Sequence, residues 1–155
     1  MSSPTPRFDF KKESPGANTA MQALEAYLRT CSIEVALIHL IKLRASQLNG
    51  CAYCIDMHWK DLRAIDVSED KLYMLNAWRE SSLYSDRERA ALAWTETVTV
   101  IGELHAPDAA YDDVRKHLSE TEVSDLTVAI ATINAWNRLA ISARTTPGRY
   151  QAKHG

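Results

Sequence analysis

The sequence is punctuated by helix-start signals and carries almost nothing that would begin a strand. Ser85 with Glu88, and Ser119 with Glu122, are Ser-x-x-Glu capping boxes, each opening a run with apolar residues at helical spacing. Such boxes satisfy two orphan backbone N–H groups reciprocally, so each fixes a helix start with some precision. The first predicts a helix over "DRERAALAWTETVTVIGEL" and the second a long helix running to about Ala143. Ser68 before Glu69 and Asp70 predicts a shorter one, and Pro107 suits the first position of "DAAYDDVRKHL".

Upstream, Met21, Leu24, Leu28 and Cys31 follow a three-to-four spacing, with Asn18 as a cap. Residues 33–48 are denser in apolar side chains, which predicts a helix covered on most sides before Asn49-Gly50 interrupts it. The one strand-like stretch, "TETVTVI" at 95–101, is entered from Ala90–Trp94 without a turn signal, so the helical reading is kept there. No strands alternate with the helices, which argues against a parallel sheet. The expected architecture is therefore all-α in a single domain over 18–145. A polar N-terminal arm, 1–17, contains Pro4, Pro6, Pro15 and Gly16, and a frayed C-terminal tail covers 146–155.

Composition narrows the function. A formal charge of −2, with Lys and Arg in no block, points to no nucleic-acid or anionic-membrane partner. The longest uncharged run, 126–137, is twelve residues long, whereas a spanning helix needs roughly eighteen or more apolar ones. No signal-peptide core is visible near the N-terminus, so a cytoplasmic location is expected. In that reducing setting, close cysteines more often serve redox chemistry or a metal than a structural disulfide.

Cys51, Cys54 and His58, in "NGCAYCIDMHW", are the residues on which chemistry converges. If a helix starts near Cys51, the three fall within a sector of roughly 60°. A thiolate near a helix N-terminus is stabilised by unpaired N–H groups, and a histidine one turn on can take the thiol proton. The C-x-x-C spacing lets a second sulfur condense with a sulfenic acid on the first. Two other readings stand beside this one. The cysteines are small buried hydrophobes, or Cys51, Cys54 and His58 join His39 as a Cys₂His₂ zinc set. Cys31, alone at the end of an apolar stripe, reads as packing. No G-x-G-x-x-G loop is present, and no flavin, haem or other cofactor is called for.

The stretches "HLIKLRASQLNGCAYCIDMHWKDLRA", "RERAALAWTETVT" and "DLTVAIATINAWNRLAI" resemble the alkylhydroperoxidase D (AhpD)-like branch of the carboxymuconolactone decarboxylase superfamily, over roughly residues 20–145. The resemblance implies an all-helical fold, assembly into trimers or hexamers, and peroxide reduction without a metal. It makes Cys54 the residue that attacks hydrogen peroxide or an organic hydroperoxide and Cys51 the one that resolves it. His58 serves as proton relay, and a separate dithiol partner restores the pair. Two positions depart from the pattern. His39 stands where the relay has a glutamate, and Tyr53 where the best-known enzyme has a histidine. His39 reads equally as a buried, hydrogen-bonded histidine; Glu96 reads as a solvated helix carboxylate or as a replacement acid. Trp59, Trp94, Trp136 and Tyr53 read as core, interface or pocket wall. Alternatives to peroxidase chemistry are a structural zinc protein, a non-catalytic redox-sensing oligomer, and a decarboxylase-type lyase. The cysteine pair counts against the last of these.

Overall fold

In the computed structural model, which describes residues 5–152, every regular element is helical. The α-helices are α1 (Phe10–Glu13), α2 (Pro15–Leu28), α3 (Val35–Asn49), α4 (Ala52–Ala64), α5 (Glu69–Tyr73), α6 (Asp86–Thr99), α7 (Ile101–Leu104), α8 (Asp108–Arg115) and α9 (Glu120–Ala143). A 3₁₀ segment, Leu75–Glu80, joins α5 to α6. Both capping boxes form as the sequence specifies, with Ser85 and Ser119 each accepting from the N–H three residues on. Among the described residues, no helix is long and apolar enough to cross a membrane.

Helix α3 is the centre of the molecule and packs against α4, α6 and α9. Its Leu37, Leu40, Ile41 and Leu43 are buried against Leu62 of α4, Leu92 of α6, and Leu126 and Ile130 of α9. Each such aliphatic side chain stabilises the fold by about 1.5–3 kcal/mol on full burial. Polar groups then set the register between α3 and α9. Asn137, fully buried, donates to Ser46 Oγ at 3.0 Å and accepts from Asn49 Nδ2 at 2.9 Å. Asn49 also donates to Asn134 Oδ1, and Asn134 donates to Thr99 Oγ1 of α6.

Gly50 makes the turn from α3 into α4. It caps α3 in the left-handed conformation (φ 69°, ψ 32°), and the next N–H, that of Cys51, donates to the Ser46 carbonyl. A side chain at Gly50 would meet no neighbour, so the backbone angle is what favours glycine here. The consequence for the site is direct: the chain re-enters a helix at once, with Cys51 as its N-cap.

The structure departs from the sequence expectations in three places. The first long helix starts at Pro15, not Asn18, and α1 precedes it, so all of 10–17 except Ser14 is helical rather than an arm. Pro15 occupies the first helical turn, where its missing N–H costs nothing. Pro4 lies outside the described residues. Helix α6 stops at Thr99 and a kink at Val100 separates it from α7, so the predicted single helix is broken. Up to that point the β-branched run stays helical, with Thr95 and Thr97 hydroxyls donating to the carbonyls four residues back. Finally, the chain after α9 is tied down through Tyr150: Lys60 Nζ donates to the Gly148 and Tyr150 carbonyls, and the Gly148 N–H donates to Asp56. The turn that starts this return uses Arg144, a non-glycine residue at φ 56° and ψ 49°.

Candidate active site

Helix α4 carries Cys54 and His58, and Cys51 is its N-cap, so the helix starts next to Cys51 as the sequence predicts. Cys51 sits outside the first turn and its sulfur accepts from the Cys54 N–H at 3.4 Å, taking the role a serine or aspartate usually plays. The two sulfurs lie at disulfide distance, with their Cα atoms 5.4 Å apart. Both side chains are buried and pack with Ala45 of α3 and Ile133 of α9. Cys51 borders a cleft of about 320 Å³ whose other walls include Tyr53, Ala140, Ile141, Arg144 and Pro147. Arg144 is the one charged residue among those walls.

His58 follows Cys54 by one turn and is 4% exposed. Its Nε2 is buried with no hydrogen-bond partner among the described residues, while its Nδ1 faces two other groups. One is Nδ1 of His39 on α3, at 3.3 Å; the other is Oδ2 of Asp61 on α4 itself, at 3.5 Å. His39 Nδ1 is also 3.5 Å from Asp61 Oδ2. The second oxygen of Asp61 accepts from the Tyr150 hydroxyl at 2.6 Å, which brings the returning C-terminal segment into the cluster.

Burial dominates the electrostatics. It pushes His39 down to about 4, helped by the neighbouring His58 and opposed by Asp61. His58 is lowered as well, by burial first, against the pull of Asp61. Both rings are therefore neutral near pH 7. Burial works to raise Asp61, but its contacts with His58 and Tyr150 prevail and keep it an ionised acceptor. Tyr150 is raised by burial and by the Asp61 carboxylate, so it remains a donor. Behind this cluster Lys42, 2% exposed, pairs with Glu25 of α2 at 2.6 Å, and the other Glu25 oxygen accepts from Trp136 Nε1. Lys42 disfavours a charge on either imidazole, and Glu25 favours one.

The sequence-derived residues thus form two pairs, Cys51 with Cys54 and His39 with His58, and Cys54 and His58 are four residues apart on α4. His39 is part of the cluster and not an isolated core histidine. Glu96 does not join them. It is neither a solvated carboxylate nor a relay acid, because it is held by Arg44, Arg79 and Trp78 Nε1 on another face of α3 and α6. The Cys₂His₂ set is not assembled either. Among the described residues, the group whose ligating atoms lie within 4.8 Å of one another is His39, His58 and Asp61, with no sulfur. Cys31 packs against the core and bonds to the Leu28 and Ile33 carbonyls. Sequence reasoning missed Asp61, Tyr150, Lys42 and Glu25. Two had a local signal: Asp61 lies three residues after His58, and Lys42 three after His39, each on the same helical face.

Comparisons with known proteins identify the family. The model of the carboxymuconolactone decarboxylase family matches residues 15–97. The chain is 40% identical over 136 residues to the uncharacterized protein YdfG of Bacillus subtilis, covering 88% of this chain and 92% of that one. Its structure resembles that of a protein of unknown function from Agrobacterium tumefaciens, proposed to be the antioxidant defence protein AhpD. That pair has a TM-score of 0.90 and 44% identity, over 94% of this chain and all of the other. The debrominase Bmp8, at 21% identity, shares the fold alone, with a TM-score of 0.74 over 89% of this chain and 74% of its own. By sequence and by structure, the chain belongs to the carboxymuconolactone decarboxylase family, in its AhpD-like branch.

Proposed function

We propose that the protein is a cysteine-pair peroxidase that reduces hydrogen peroxide or organic hydroperoxides. The observation that carries this reading is the pairing of two buried sulfurs at the start of α4, one turn before a neutral histidine held by Asp61 and His39. In the first step the Cys54 thiolate attacks the terminal peroxide oxygen. An S–O bond forms, the O–O bond breaks, and the alcohol, or water when the substrate is hydrogen peroxide, leaves with the proton that came from the thiol. His58 manages that proton: its Nδ1 side faces Asp61, which leaves Nε2 as the nitrogen able to accept from the thiol. In the second step Cys51 attacks the Cys54 sulfenic acid, water leaves and the disulfide closes. A separate dithiol supplies the two electrons that reopen it.

His39 in the glutamate position changes the relay without emptying it. Asp61 supplies the carboxylate from α4 itself, and Tyr150 fixes its orientation. Oligomeric assembly and a cytoplasmic setting belong to the same proposal, by likeness to the branch.

The test is a thiol count on reduced, chelator-treated protein, before and after one equivalent of cumene hydroperoxide. Rapid loss of two thiols per chain, restored by a dithiol, is the expected result. Cys54→Ser should abolish hydroperoxide consumption, and Cys51→Ser should leave a trappable sulfenic acid on Cys54. Loss of no thiols would remove the peroxidase reading, and a sulfenic acid trapped on Cys51 would reverse the two roles.

A further inference from the structure

Three atoms with lone pairs meet at one point between α3 and α4. His39 Nδ1, His58 Nδ1 and Asp61 Oδ2 form a triangle with edges of 3.3, 3.5 and 3.5 Å. Hydrogen bonding alone satisfies this arrangement poorly. If one imidazole carries its proton on Nδ1, that single hydrogen has two acceptors and the other pair of atoms meets lone pair to lone pair. If both carry it there, two hydrogens crowd onto one oxygen at distances that are long for hydrogen bonds. A cation at the apex of the triangle would satisfy all three atoms together.

We propose that His39, His58 and Asp61 form a binding site for a divalent transition metal, zinc in the first instance, with a fourth position open to water. A tetrahedral zinc ion with ligands at about 2.0–2.1 Å holds its ligand atoms roughly 3.3–3.4 Å apart, which the observed edges match. Two imidazoles and one carboxylate are a zinc-competent set with net charge −1, and the three-ligand count leaves one position free. A neutral imidazole with its lone pair on Nδ1 is the form that ligates. The Tyr150 hydroxyl occupies the other Asp61 oxygen and so orients Oδ2 toward the two rings. The His39 side chain is 25% exposed and the Asp61 side chain 14%, so an ion has a route in from that side. The opposing charge is Lys42, and Glu25 neutralises it.

The site is distinct from the cysteine pair and differs from a Cys₂His₂ centre in ligands and place. It has a consequence for the peroxidase reading, on which it does not depend. Metal on Nδ1 of His58 leaves the proton on Nε2, so the ring can no longer accept from a thiol. Zinc would then act as an inhibitor of hydroperoxide reduction, reversed by a chelator.

Binding can be measured without turnover. The full-length protein, stripped by chelator and held with its Cys51–Cys54 disulfide closed, is titrated with zinc by calorimetry and with Co(II) by absorption spectroscopy. One equivalent per chain is expected, with a tetrahedral Co(II) spectrum and no thiolate charge-transfer band. His39→Ala should weaken binding more than tenfold, and Tyr150→Phe, which leaves all ligands in place, by about 10–100-fold. Far-UV circular dichroism checks that both variants fold. Absence of stoichiometric binding would overturn the proposal. So would an octahedral Co(II) spectrum, or zinc affinity unchanged in His39→Ala. Because the disulfide is closed throughout, none of these outcomes depends on whether the thiols reduce peroxide.

Discussion

Glu96 receives three donors on two oxygens: Arg44 Nε and Trp78 Nε1 at 2.8 Å on one, Arg79 at 2.6 Å on the other. Burial works to raise its carboxyl, but these donors outweigh burial and hold it below its ordinary value of 4.5. A carboxylate lowered on folding stabilises the folded chain above its unfolded pKa and loses that contribution as pH falls through the folded one. Glu96→Ala should therefore cost about 2–3 kcal/mol in urea melts at pH 7, because two guanidinium groups and an indole N–H lose their acceptor. The penalty should shrink as pH falls from the unfolded carboxyl's value of about 4.3 through the lower folded one. If the penalty did not change over that range, the charge would not be what holds the three donors. At this scale the sequence was a partial guide. The helix start beside Cys51 was legible from the Asn49-Gly50 break, and Cys54 and His58 do lie one turn apart on α4. Glu96 was misread because its partners are 17 to 52 residues away, and no local pattern announces them.

Elements were most legible where a side chain specifies the backbone hydrogen bonds of a terminus. Ser119 accepts from the Glu122 N–H, and Glu122 Oε2 accepts from the Ser119 N–H at 2.7 Å. Helix α9 lines both the hydrophobic core and the cysteine cluster, so fraying at its start reaches beyond the helix itself. Ser119→Ala should lower stability by about 1 kcal/mol, read as a shift in the denaturation midpoint, and Ser119→Asp should recover most of it. An equal loss in both variants would mean that the cap contributes little. The elements that the sequence concealed are those whose signals cut both ways. Pro15 and Gly16 look like breakers, yet proline suits the first turn of a helix; the run 95–101 alternates like a strand, yet its threonines bond back along the helix.

At the scale of the whole molecule, the site is assembled from parts of the chain that are far apart in sequence. Glu25 comes from α2, His39 and Lys42 from α3, the cysteines, His58 and Asp61 from α4, and Tyr150 from beyond α9. The fold class was legible from helix periodicity and caps alone, whereas this convergence depends on how the helices stack, which periodicity does not encode. The turn at Arg144 is the hinge of that convergence, since it sends the chain back along α4. A non-glycine residue in the left-handed region costs roughly 1–2 kcal/mol, and Arg144 sits there while its side chain lines the cleft beside Cys51. The consequence is kinetic. A lone cation at the mouth of a mostly apolar cleft attracts anions, and ionic strength screens that attraction over about 10 Å at 0.1 M. The reduced cysteines should therefore react with iodoacetate faster, relative to neutral iodoacetamide, at low salt than at high salt. Arg144→Gln should flatten that difference; if it persisted, the selectivity would have to arise elsewhere. The residue that turns the chain would then also decide which molecules arrive at the sulfurs first.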